Sequence, residues 1–147
     1  MDVHSPSVRS KNMRAIRSKD TQPEMYLRRA LHAKGFRFRL SVGTLPGTPD
    51  IVLPKYHVAI FVHGCFWHGH HCHLFTLPQT RKEFWQDKIG GNIQRDFIAR
   101  NKLLAAGWRV AIVWECALKG RHRLSIDALI SALAEWLADA RSQVIEI

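Results

Sequence analysis

The chain has 147 residues, with 22 Lys and Arg against 12 Asp and Glu, for a net charge of +10. That length predicts one domain, and a hydrophobic fraction of 46% excludes a disordered or fibrous chain. A solvated basic surface is the bland account of the charge, but a domain this basic most often meets a polyanion, nucleic acid first.

No apolar run approaches the roughly 18 residues of a membrane span. The start, Met1-Asp2-Val3-His4-Ser5-Pro6, has no apolar signal-peptide core. Three cysteines cannot all pair within one molecule, which argues for a reducing cytoplasm and for metal ligation. Residues 1–20 carry Arg9, Lys11, Arg14, Arg17 and Lys19, a basic arm suited to clamping nucleic acid or else a frayed terminus. Residues 21–147 are expected to form the single domain.

Thr21-Gln22-Pro23-Glu24 predicts a helix start, with Thr21 as cap, Pro23 in the first turn and Glu24 closing a capping box. Tyr26, Leu27, Ala30 and Leu31 form its apolar stripe, and Gly35 stops it. Phe36, Phe38 and Leu40 alternate with arginines as a half-exposed strand. A Pro/Gly loop over 44–49 leads to a short strand over 50–53. A turn at 54–56 precedes an apolar, central strand over 57–62. Residues 81–88 read as a short helix ended by Gly90-Gly91, and a second helix follows up to Gly107. The stretch 108–114 is another buried strand, and 124–140 a closing helix with Leu129, Leu133 and Leu137 inward. This order predicts a mixed α/β sandwich around one sheet.

Six of the nine histidines and two of the three cysteines lie between His57 and His73. Thiolates and imidazoles at short spacing are what a tetrahedral zinc ion needs. Cys65-x4-His70-x-Cys72 supplies three ligands from one loop, with His71 and His73 as rivals of His70. Cys116, at the end of the strand over 108–114, is the natural fourth, since it would staple a long loop to a distant strand end. Three metal-free buried cysteines, or a catalytic zinc, are the competing readings.

Asp50 stands at a loop-to-strand junction, and the next strand ends at Val62-His63. An acid on one strand and a carbonyl on its neighbour can grip a hard cation such as Mg²⁺. His68 is free to act as a general base, with Asp96 to orient it. A carboxylate, a hard metal, a base and positive charge are what water attack on a phosphodiester requires. The plain alternatives are a turn-capping Asp50, a capping Glu24 and a surface Asp96. Phe66, Trp67 and Trp85 suit stacking on or wedging between bases, or else they cover the metal site.

These residues fall into longer motifs. They are Arg9-Ser10-Lys11-Asn12-Met13-Arg14-Ala15-Ile16, Leu45-Pro46-Gly47-x-Pro49-Asp50, His63-Gly64-Cys65-Phe66-Trp67-His68, Glu83-Phe84-Trp85, Trp108-Arg109-Val110 and Val113-Trp114-Glu115-Cys116-Ala117-Leu118. With them the chain resembles the very short patch repair endonucleases, bacterial DNA mismatch nucleases of the Vsr type. The resemblance implies a restriction-endonuclease-like α/β fold, a mixed sheet flanked by helices, with a structural zinc. It implies a Mg²⁺-dependent nick 5′ to the T of a T·G mismatch left by deamination of 5-methylcytosine.

Carried over by position, Asp50 and the Val62 carbonyl hold Mg²⁺. His68 is the base and Asp96 its partner. His63 and Glu24 lie near the scissile phosphate. Cys65, His70, Cys72 and Cys116 hold zinc. Phe66, Trp67 and Trp85 wedge into DNA, with Met13, Arg14 and Lys11 on the arm against it.

Val62 stands where the family usually has threonine, a change that a main-chain ligand survives. Gly69 interrupts what is often a longer histidine run. Phe61-Val62-His63 stands where restriction enzymes carry acid-x-lysine, which leaves the base role to His68. The expected partners are double-stranded DNA with a T·G mismatch and the mismatch-repair proteins that assist this family, with no membrane. The chain is expected to act as a monomer in the bacterial cytoplasm, on the nucleoid when bound. A zinc-stabilised DNA-binding module without catalysis, and a nuclease of the same fold tied to a restriction system, are the other readings.

Overall fold

Alternation along two central strands decides which way each side chain faces. The computed structural model describes residues 20–139 and 141–147. On β3 (Val58–His63) and β4 (Arg109–Trp114), Val58, Ile60, Ala111 and Val113 join one buried cluster with Leu27, Leu31, Leu129 and Leu133. Their neighbours Ala59, Phe61, Val110 and Ile112 join a second cluster with Leu103 on the other face. Both faces of these strands are covered, so they read as nearly unbroken apolar runs.

Among the described residues the sheet has five strands, in the order β1-β2-β3-β4-β5. β1 (Arg39–Leu40) and β2 (Ile51–Leu53) are antiparallel to their neighbours. β4 runs parallel to β3, and β5 (Val144–Glu146) runs parallel to β4. A 3-10 turn over Pro54–Tyr56 joins β2 to β3.

Helix α1 (Gln22–Ala33) starts where the sequence predicts. Thr21 Oγ1 accepts the Glu24 N–H at 3.4 Å. The Glu24 carboxylate reaches back to the Asp20 N–H, at 3.1 Å, one residue before the cap. Leu27 and Leu31 are fully buried, whereas Tyr26 is exposed. The predicted strand over 36–40 shrinks to Arg39–Leu40, because Phe36 and Phe38 turn onto the edge of the core.

The largest correction concerns Gly90-Gly91. Helix α2 runs unbroken over Lys82–Ala105. Each helical glycine costs about 1 kcal/mol relative to alanine. Buried Ile89, Ala99 and Leu103 anchor the helix on both sides of the pair and offset that cost.

Two short elements lie outside the sequence reading. One is α3 (Glu115–Leu118), the other β5. Helix α4 (Ile126–Ala138) buries Leu129, Leu133 and Leu137 as expected and is capped by Ser125 at 3.1 Å. β5 is held by its parallel ladder with β4, and the chain that leads to it is braced by Arg109, whose guanidinium lies over the Trp136 ring. That guanidinium donates to the carbonyls of Trp136 at 2.6 Å and Asp139 at 2.7 Å, beyond which the chain enters β5. Among the described residues no helix is long and apolar enough to cross a membrane.

Candidate active site and metal centre

The loop after β3 folds back on itself at once. The His70 N–H donates to the Cys65 carbonyl at 2.9 Å, and the His68 N–H to the Gly64 carbonyl at 3.1 Å. This brings Cys65, His70 and Cys72 together, and α3 delivers Cys116. Their ligating atoms all lie within 4.8 Å of one another. Zinc bonds of about 2.3 Å to sulfur and 2.0–2.1 Å to nitrogen put tetrahedral S and N ligands roughly 3.6 Å apart. Cys65 Sγ lies 3.6 Å and Cys116 Sγ 3.5 Å from His70 Nδ1.

The donor set therefore fits a tetrahedral ion. Burial pushes the Cys65 and Cys116 thiols up; a divalent cation supplies the charge that holds such thiols as thiolates. The rivals fall outside the quartet. His71 is exposed, and His73 packs edge-on against His122.

A second group forms on the cleft side of the same loop. His68 Nδ1 sits 2.5 Å from Asp96 Oδ2. The His63 ring stacks flat on His68 at 3.8 Å, with its Nε2 4.0 Å from the other Asp96 oxygen. Burial, with His68 adding to it, lowers the His63 pKa to about 4, so His63 is a neutral imidazole at physiological pH.

Asp50 stands across this cleft. Its carboxylate accepts the Val62 N–H at 2.7 Å. In an antiparallel pair a residue's N–H and C=O leave the strand on the same side, so the Val62 carbonyl faces the Asp50 side too. Burial raises the Asp50 carboxyl to about 7, opposed by the Val62 N–H and reinforced by the nearby charge of Glu24. A buried acid with a second acid near it is a place where a cation relieves cost.

Glu24 is itself 1% exposed. It is held by Arg28 at 3.2 Å, so it serves the helix start while lending its charge to Asp50.

The aromatics form a triangle in which Phe66 and Trp67 line the cleft and Trp85 packs against both. Phe66 to Trp67 is 5.2 Å between ring centroids, Phe66 to Trp85 5.4 Å and Trp67 to Trp85 5.7 Å, all edge-to-face. Each ring is half-buried. The cleft holds about 940 Å³ and is lined by Asp50, Val62, His63, Phe66, Trp67, His68 and Asp96.

Two residues that the sequence reading passed over brace it. Asn92 Nδ2 donates to the Trp67 carbonyl at 2.9 Å. Glu115 accepts the Cys65 N–H at 3.1 Å and pairs with Lys119 at 2.8 Å. Asn92 lies one helical turn from Asp96, and Glu115 precedes Cys116 of the Cys/His quartet; those positions were the available signals. Met13, Arg14 and Lys11 lie outside the described residues.

The model of the family described as DNA mismatch endonuclease Vsr matches residues 1–74. The DNA mismatch endonuclease Vsr of Escherichia coli is 52% identical over 136 residues, covering 92% of this chain and 87% of that protein. The chain belongs to the Vsr family of DNA mismatch endonucleases. Two type II nicking enzymes are also similar. V.XorIIP of Xanthomonas oryzae pv. oryzae is 51% identical over 86% of this chain and 97% of its own length. V.NmeAIP of Neisseria meningitidis is 42% identical over 82% of this chain and 86% of its own. The mixed sheet flanked by helices is the restriction-endonuclease-like architecture of the Vsr family.

Proposed function

We propose that this chain nicks double-stranded DNA 5′ to the T of a T·G mismatch left by deamination of 5-methylcytosine, by Mg²⁺-dependent hydrolysis. The observation that carries the reading is the His68–Asp96 pair sharing one cleft with Asp50, Val62 and the aromatic wall, in a chain of the mismatch endonuclease family. Asp96 accepts the Nδ1 proton of His68 and leaves Nε2 as the acceptor. Nε2 takes the proton of a water whose oxygen bonds to phosphorus, and the P–O bond to the leaving oxygen breaks, that oxygen taking up a proton from solvent. Mg²⁺, held by Asp50 and the Val62 carbonyl, would offset the charge that develops on the phosphate. His63, neutral beneath the His68 ring, holds that ring by flat stacking. Glu24 raises the demand for a cation at Asp50.

Residues 21–147 act as one endonuclease domain, and the basic segment 1–20 as an arm on the duplex through Lys11, Met13 and Arg14. Mismatch-repair proteins are the candidate partners, with the bacterial cytoplasm as the working compartment and a monomer as the active form. The test is strand-specific nicking of T·G duplexes beside paired controls.

Phe66, Trp67 and Trp85 enter the stack beside the mismatch. Stacking of an aromatic on a base is worth about 1–3 kcal/mol, so Trp67→Ala should weaken T·G duplex binding about 5- to 150-fold. Binding to paired DNA should change much less. Fluorescence anisotropy on the two duplexes reads the difference, and equal losses on both would remove the wedge role.

Cys65, His70, Cys72 and Cys116 hold a structural Zn²⁺. A site filled at a thousand times its Kd contributes about 4 kcal/mol, which is about 8–16 °C in melting temperature for a domain of this size. Cys72→Ser should lose bound zinc, by atomic absorption, and melt lower by that amount. A zinc-free variant that melts with the wild type would sink the role.

A further inference from the structure

Residues 45–48 form a tight turn in which the Thr48 N–H donates to the Leu45 carbonyl at 3.1 Å. Pro46 and Gly47 are its central residues, and Gly47 has φ +76°. This is the arrangement of a type II turn, with proline second and glycine third. The turn is pressed against α2. A Cβ on Gly47 would stand 2.7 Å from the Ala99 Cβ and 3.2 Å from the Phe61 ring.

Gly47 lies three residues before Asp50, and Ala99 three residues after Asp96. Positions i and i+3 share one face of a helix. The contact therefore joins the loop that carries the acid to the helix face that carries the carboxylate of the dyad.

The His68 loop docks on the same helix nearer its N-terminus, at Ile89 and Ile93. Gly69, at φ +62°, would put a Cβ 2.7 Å from Ile93 Cδ1 and 2.9 Å from Cγ2 of buried Ile89. Ile93 Cδ1 is the far end of a flexible side chain and can move aside, so the close approach there rests on the Ile89 methyl. The Ala99 Cβ is fixed to the helix backbone, so an atom added at Gly47 must displace the turn or the helix.

We infer that Gly47, seated on Ala99, is a positioning residue that sets the distance between Asp50 and the His68–Asp96 pair. This inference rests on the assignment of those residues in the proposed function. Separating carbons from 2.7 Å to ordinary contact needs a shift of about 1 Å, and a misplacement of that size costs about 100-fold in rate.

The experiment measures single-turnover nicking of a T·G duplex in Mg²⁺, metal-free duplex binding, and melting temperature. It uses the full-length wild type, Gly47→Ala, Ala99→Gly, the double variant, and Ala99→Val, which loads the same contact from the helix side. Gly47→Ala and Ala99→Val should lose about 100-fold in nicking rate with binding within about 2-fold. Adding Ala99→Gly to Gly47→Ala should restore at least about 10-fold. Should Gly47→Ala not fold, Ala99→Val alone decides.

A folded Gly47→Ala enzyme that nicks like wild type overturns the inference. So does a double variant as slow as Gly47→Ala, since the loss would then come from the positive φ and not from the contact. A wild type that binds the mismatch and cuts nothing overturns the functional assignment and takes the inference with it.

Discussion

Replacing Asp50 by asparagine should lower the nicking rate at least about 1,000-fold, because a hard cation contributes several kcal/mol to phosphoryl chemistry. Asparagine keeps the shape of the side chain and can still accept the Val62 N–H, which Asp50 receives at 2.7 Å. It removes only the charge. That charge is buried and near Glu24, and both raise the cost of carrying it. The sign for stability follows. An acid whose folded pKa lies above its unfolded value destabilises the fold once it is ionised, so Asp50→Asn should melt no lower than wild type at neutral pH without added metal. Loss of activity with equal or higher stability is the pattern of a group kept for a cation. Nicking within about 10-fold of wild type would remove Asp50 from the metal site.

Replacing His68 by alanine should cost about 100- to 10,000-fold, the range for a general base. Duplex binding should stay within about 2-fold, since the proposed role of the ring is to take a proton in the reaction and not to hold the duplex. Asp96→Asn should cost less than His68→Ala. It leaves the imidazole in place but takes away the carboxylate that fixes its tautomer at 2.5 Å. The His63 ring stacked at 3.8 Å still limits the orientation.

How far these features can be read from sequence depends on how local they are. Cys65, His70 and Cys72 come from one loop, and their spacing is enough to propose them. Cys116 follows because the chain has no other cysteine. What separates His70 from His71 and His73 is the backbone path, with Gly69 at φ +62° and the His70 N–H on the Cys65 carbonyl; spacing alone does not hold that. Asp50 and Val62 are twelve residues apart, and the antiparallel pairing of Ile51 with Ile60 is what sets them side by side.

Asp96 is a different case. Its place beside His68 depends on α2 passing through Gly90-Gly91 without a break. The sequence reading put a helix end there, because glycine propensity is local and the packing of Ile89 and Leu103 is not. The same reasoning covers β5, a short edge strand held by parallel pairing with β4, and Glu115, whose partner Cys65 lies fifty residues away. Asn92 holds Trp67 across 25 residues, again a contact between elements and not within one. The two-sided core of β3 and β4 is the reverse case: unbroken apolar runs announce it directly.

The most direct test is a nicking assay on end-labelled duplexes with one T·G mismatch in randomised flanks, with and without Mg²⁺, beside fully paired controls. A Mg²⁺-dependent nick 5′ to the mismatched T, on that strand alone, is the predicted result, and the cut molecules would report the preferred flanks. Mismatch binding without cutting in any divalent metal would contradict the account and leave a DNA-binding module. Cutting of both strands in paired DNA would contradict it in favour of a restriction activity.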